Sequence, residues 1–371
     1  MLSIIFLLLA AIFLSYANGA NDNFKGVATL FGSGASDYKK ALCWATLTTF
    51  LGSMTAIFIS TELIASFSGK GLVPAAVAAD PYFLISVGMG AALTVFIASL
   101  TGIPISTTHS LTGALIGAGL VSVGRHINFS TLGNKFFMSL LASPLISVFL
   151  TLIIYPAFKF ARIKLGIERQ MCLCIGQKVE PLCVRPDGAL LLKSTGIALT
   201  VDQLQNCQQY YQGKILGFDS QRILDKMHYL SSGVVSFARG LNDTPKIVAL
   251  LLIMRALSSK GGIFIVAAAM AIGGLLNARK IAFTMSKRIT EMNHGQGFSA
   301  NLVTAFLVLF ASRWGLPVST THVSCGCLFG IGLVNKKANV SLIRQIILAW
   351  ILTLPLSAMS AGLLMFLTRK L

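Results

Sequence analysis

Charge is scarce in this chain. Of 371 residues only 11% are Asp, Glu, Lys or Arg, while 55% are hydrophobic; a soluble domain carries about 25% charged residues. A surface so short of ions excludes a water-soluble globule. Acidic residues are rarer still, 12 against 30 Lys and Arg, for a formal net charge of +18. In a soluble protein that balance would point to nucleic acid. Here, basic residues gathered in the cytoplasmic loops of a membrane protein account for it, so no nucleic-acid partner is expected. The balance also suits a carrier of anions. Paired cysteines are lacking too: Cys172, Cys174, Cys183 and Cys207 form no C-x-x-C pair. Reduced thiols facing the cytosol are therefore expected rather than a zinc site, and no metal or organic cofactor. Cys43, Cys325 and Cys327 lie in apolar segments and read as small core residues. Finally, no basic stretch precedes the first apolar run, so Met1 to Tyr16 reads as a retained membrane helix and not as a signal peptide.

What is present is apolar length. Residues 2–14, 41–60, 83–100, 136–158, 262–276, 302–311 and 345–366 are nearly free of charge, and about 20 such residues cross a bilayer. The expected fold is an all-α polytopic membrane protein of roughly ten to twelve crossings or half-crossings. The chain is also duplicated. YANGANDNFK at 16–25 recurs as FARGLNDTPK at 237–246, and GIPISTTH at 102–109 recurs as GLPVSTTH at 315–322. Two motifs recurring in the same order define a first membrane repeat, 1–158, and a second, 227–371. Between them, 159–226 is a polar, mostly basic stretch, expected to be a cytoplasmic linker. An odd number of crossings per half would invert the halves, place both termini outside, and build substrate sites from broken, re-entrant helices near mid-membrane. The Gly-x-Pro breaks at 102–104 and 315–317 mark such places.

The repeated motifs carry the chemistry. Ser106, Thr107 and Thr108, like Ser319, Thr320 and Thr321, follow a proline and open a run that can be helical. A helix start offers free N–H groups and partial positive charge, so the hydroxyls beside it complete a cradle for an oxyanion; simple capping is the plainer alternative. Asp22 and Asp243 hold matching positions beside membrane helices. A carboxylate at membrane depth is costly and marks an ion or proton path, so these two are assigned to a coupling ion, H+ or Na+. Asn21 and Asn242 would orient substrate or ion. Lys25 and Lys246, one turn further on, would compensate charge or hold the anion. His109 and His322 are candidates for proton relay, or for capping.

These residues resemble the inorganic phosphate transporter (PiT) family: G-A-N-D at 19–22, G-L-N-D at 240–243, the paired P-x-S-T-T-H motifs, and RITEMNHGQGFSANL with ASRWGLPVSTTHVSCGCLFGIGL in the second half. The resemblance covers both membrane halves but not the central stretch. It implies phosphate symport with sodium or protons, with phosphate on the Asn and Ser-Thr-Thr positions and the coupled cation on the aspartates. The chain departs from the sodium-coupled pattern of that family. Thr49 and Phe283 stand where those members have glutamates, and Lys25 and Lys246 where they have Asn. The lysines are therefore expected to act as tethered cations, with protons favoured over sodium. Expected partners are inorganic phosphate and the bilayer of a plasma or inner membrane; a homodimer is compatible with the sequence. A sulfate permease of the same fold is the nearest alternative. An intramembrane Ser/His hydrolase fits poorly, because catalysis needs one asymmetric base and oxyanion hole and every group here occurs twice.

Overall fold

The computed structural model describes residues 2–59, 61–164, 171–184, 190–203, 216–254 and 258–369. Ten helices of sixteen or more residues organise it: α1 Leu2–Asp22, α2 Tyr38–Ile59, α3 Pro81–Thr101, α4 Thr107–Val123, α5 Met138–Lys164, α6 Ser220–Val248, α7 Ser259–Asn277, α8 His294–Arg313, α9 Thr320–Asn335 and α10 Val340–Thr368. Among the described residues, seven helical stretches are long and apolar enough to cross a membrane: Leu2–Ser33, Tyr38–Phe58, Pro81–Thr101, Phe129–Lys164, Lys260–Asn277, His294–Arg313 and Val340–Thr368. Six of them contain one of the apolar runs whole, and Tyr38–Phe58 covers most of the run at 41–60. The other three long helices, α4, α6 and α9, carry three of the four motif copies and are the shorter or more polar ones.

Local sequence sets the helix ends. Asp80 caps α3 by accepting from the Tyr82 N–H, with Pro81 at the first helical position. Gly102 then ends α3 in the left-handed region (φ 78°), a conformation glycine adopts without a Cβ penalty. Gly315 does the same after α8 (φ 66°). Asn293 opens α8 with a reciprocal capping box to Gln296.

The chain divides into two compact units, one of residues 1–155 with 229–371, the other Pro156–His228. In the larger unit the two halves interleave. A Cβ on Gly19 of α1 would lie 2.0 Å from the Met270 carbonyl oxygen of α7, and one on Gly273 would lie 2.0 Å from the Tyr16 oxygen. With Asp22 aligned to Asp243, the same crossing recurs: a Cβ on Gly240 of α6 would lie 2.1 Å from the Thr49 oxygen of α2, and one on Gly52 would lie 2.0 Å from the Phe237 oxygen. Small residues are what let membrane helices approach this closely. α4 on α10 and α9 on α5 form a second such pair, through Gly113 and Gly117 against Leu354 and Ala358, and through Gly326 and Gly330 against Ser147 and Thr151.

The smaller unit differs from the helical expectation. It holds an antiparallel sheet of order β2-β1-β3, with β1 Met171–Val184, β2 Leu190–Gln203 and β3 Leu216–Asp219. Cys172, Cys174 and Cys183 fall on β1, and Cys207 lies outside the described residues.

Candidate functional site

The paired motifs converge in the larger unit. α1 ends at Asp22, and a short 3-10 turn, Lys25–Val27, separates it from the next helical piece. That break brings Lys25 under the entrance of α9. Its ammonium donates to Asn21 Oδ1 (2.8 Å), to the Ile105 carbonyl (2.9 Å), to Thr321 Oγ1 (2.6 Å) and to Asp22 Oδ1. Lys246, near the end of α6, repeats the arrangement across the halves, donating to Thr108 Oγ1 (2.8 Å), Asp243 Oδ1 (3.3 Å) and the Val318 carbonyl (2.9 Å). Each lysine thus reaches the last threonine of the opposite half's Ser-Thr-Thr run and the carbonyl just before its own half's run. Both lysines and both aspartates are buried.

The aspartates are held from several sides. Asp22 Oδ2 accepts from Asn18 (3.0 Å) and from Thr107 (3.1 Å). Asp243 accepts from Asn242 (3.0 Å), and from the same Asn18 amide at 3.4 Å. Asn18 Nδ2 therefore bridges the two carboxylates. Asn21 pins the first break: its oxygen accepts from the Ile105 N–H (3.1 Å) and its amide donates to Ser99 (3.1 Å) and the Ile103 carbonyl (3.3 Å). Asn242 plays the same part at the second break, bonding Ser312 and the Val318 carbonyl, each at 3.3 Å.

The two serines cap their helices. Ser106 and Ser319 have nearly the same backbone angles (φ −98°, ψ 116°, and φ −99°, ψ 116°) and accept from the N–H of His109 (3.0 Å) and His322 (3.2 Å). This is the capping geometry the sequence allowed, and it leaves the first backbone N–H groups of α4 and α9 for another acceptor. Thr107 and Thr320 are buried at those positions. His109 and His322 sit ring against ring, with centroids 4.3 Å apart, and His322 also stacks on Trp350 at 4.0 Å. His109 Nδ1 and His322 Nε2 are buried without a hydrogen-bond partner. A cavity of about 10 Å³ adjoins Lys25, lined also by Thr29, Asn301, Thr304 and Ser324; that is space for about one water.

One participant escapes the sequence reading. Arg239 occupies a variable position of the repeated motif, the one matching Asn18, and is fully buried. Its guanidinium donates to Asn18 Oδ1 (2.6 Å), Asn23 Oδ1 (3.2 Å) and Thr49 Oγ1 (3.3 Å), and its Nε lies 3.7 Å from Asp243. A basic residue present in only one copy of a motif is easily read as an interface cation. Its burial was signalled only by its place between Ala238 and Gly240. Thr49, noted for lacking a carboxylate, proves to be one of its partners. Phe283 is exposed and packs against Phe31 (5.6 Å).

Comparison with known proteins gives one consistent result. Residues 18–361 match the Phosphate transporter family. A presumed phosphate permease of Pyrococcus horikoshii is 26% identical over 97% of this chain and 96% of its own length. The chloroplastic inorganic phosphate transporter 2-1 of Arabidopsis thaliana is 26% identical over 95% of this chain and 70% of its own. A solved structure described as "The sodium-dependent phosphate transporter" superposes with a TM-score of 0.76 at 20% identity, covering all of both chains.

Proposed function

This chain belongs to the phosphate transporter family, and on that premise we propose that it carries inorganic phosphate across a cell membrane without a driving sodium ion. The family is one of transporters, and the duplicated site has no asymmetric nucleophile, so the protein is not an enzyme. The observation that carries the proposal is the setting of the two lysines. The Lys25 ammonium lies among a carboxylate, an amide oxygen, a carbonyl and a hydroxyl. Those are the oxygen donors a bound alkali cation takes. A cation bonded covalently to the chain cannot be released to either side, so it neutralises Asp22 without supplying a driving force.

Protons are then the coupled cation. Asp22 and Asp243 are the groups assigned to take one, and the unpartnered nitrogens of the His109–His322 pair are candidates to relay it. Phosphate would be held by the free N–H groups and the hydroxyls at 106–108 and 319–321, and by the lysines, which must exchange their threonine contacts for the anion. Asn21 and Asn242 would keep the two breaks in shape. Alternating access between two inverted repeats, with the smaller unit cytoplasmic, completes the proposal.

The test is uptake of labelled phosphate into proteoliposomes under an imposed proton gradient, with and without sodium, and with excess sulfate as competitor. Proton-driven accumulation that ignores sodium and sulfate supports the proposal. A sodium requirement would remove the tethered-cation reading, and uptake of sulfate instead would remove the substrate.

A further inference from the structure

Among the described residues, five buried side chains bear formal charge: Asp22, Lys25, Arg239, Asp243 and Lys246. They belong to one network. Lys25 pairs with Asp22, Lys246 with Asp243, Arg239 lies against Asp243, and Asn18 links both carboxylates and Arg239. Lys246 has three neighbours placed to accept its three N–H groups: the Asp243 carboxylate, the Val318 carbonyl and the Thr108 hydroxyl, which itself donates to Val318. Lys25 has a carboxylate, an amide oxygen and a carbonyl in the same roles, so each nitrogen faces acceptors that match the three donors of an ammonium group. With imidazoles neutral, three cations face two carboxylates. The surplus charge is +1, and it arises at the buried motif position where the copies differ in charge, Asn18 in one and Arg239 in the other.

An uncompensated charge held away from water is costly. None of these three cations can leave the protein. The surplus is removed when the site takes up one negative charge, as dihydrogen phosphate or as the dianion together with a proton. The loaded site is then neutral and the unloaded site is +1.

We propose that this carrier is kinetically an anion exchanger: the loaded form reorients fast, and the unloaded form is held back by its surplus buried charge. This rests on the phosphate reading above and goes beyond it by assigning the limiting step. Phosphate for phosphate exchange runs ahead of net transport. The net cycle also responds to membrane potential, because its return step moves a charge through the field, whereas exchange does not.

Uptake of labelled phosphate is compared between proteoliposomes preloaded with unlabelled phosphate and phosphate-free ones, each with a potassium–valinomycin potential of either sign. The expected result is exchange at least about tenfold faster than net uptake, with potential altering net uptake alone. Equal rates, or equal responses to potential, overturn the proposal. Label entering neither kind of vesicle defeats the phosphate reading itself. Arg239→Asn gives the second motif copy the residue Asn18 supplies in the first and leaves the unloaded cluster neutral. Its net uptake should rise toward its exchange rate, and an unchanged gap in a properly assembled variant would also overturn the proposal. If that variant does not assemble, the response of the wild type to potential decides.

Discussion

Replacing Lys25 by Asn should turn a sodium-indifferent protein into a sodium-stabilised one. The substitution removes the ammonium and leaves the Asp22 carboxylate buried, with Asn18, Thr107 and Thr321 still bonded to it. Breaking a buried ion pair by taking away one partner costs about 3–5 kcal/mol. At about 2–4 °C per kcal/mol for a mid-sized domain, the melting temperature should drop by about 10 °C. The Asn21 and Asp22 oxygens, the Ile105 carbonyl and the Thr321 hydroxyl, which surrounded the ammonium, are then free to take a small cation. Sodium at a hundred times its dissociation constant would restore about 2.7 kcal/mol, or more than half of the loss. The assay is thermal unfolding of purified protein in detergent, in sodium chloride and in choline chloride at equal ionic strength. A variant that melts alike in both salts, or a wild type that gains as much from sodium as the variant does, refutes the reasoning.

Two further outcomes follow from the geometry. Gly19→Ala and Gly240→Ala each press a methyl carbon onto a backbone oxygen of a crossing helix, 2.0 and 2.1 Å away, where no side chain can swing aside. Each should cost about 1–3 kcal/mol or more, while Gly133→Ala, which meets nothing within 4 Å, should melt like the wild type. Asp37, in the loop before α2, is held below its ordinary value by hydrogen bonding from the Lys40 backbone N–H. A depressed carboxylate stabilises the fold above its unfolded value, about 3.9, and loses that contribution as pH falls through the folded value. The stability gap between wild type and Asp37→Ala, followed by thermal melts, should therefore be constant near neutrality and close only in acid.

Much of this was legible because membrane segments announce themselves by apolar length. Six of the seven apolar runs lie within helices long enough to span a membrane and the seventh, 41–60, overlaps another, and both motif pairs come together through Lys25, Lys246 and the Ser-Thr-Thr positions. The serines also show why a motif underdetermines a role: Ser106 and Ser319 cap helices whether or not they touch an anion. Arg239 escaped because a repeat is read by what its copies share, and the charge that sets the balance of the site is where they differ. The sheet escaped because 159–226 was read by charge alone, although Met171, Leu173 and Ile175 alternate with smaller residues in a strand period. The interleaving of the halves has no sequence signal at all. Gly19 and Gly273 become a contact only once α1 and α7 are known to cross.

Those glycine crossings bear on how the protein is made. α1 is synthesised first, yet the carbonyl that its Gly19 face rests on belongs to Met270, which leaves the ribosome about 250 residues later, many seconds at ordinary translation rates. Through that interval the most polar part of α1, Asn18 to Asp22, stands in the membrane without Arg239, Asp243 or Thr321. The nascent first half must therefore persist as an unfinished bundle, with a hydrated or chaperoned seam, until the second half arrives to close it.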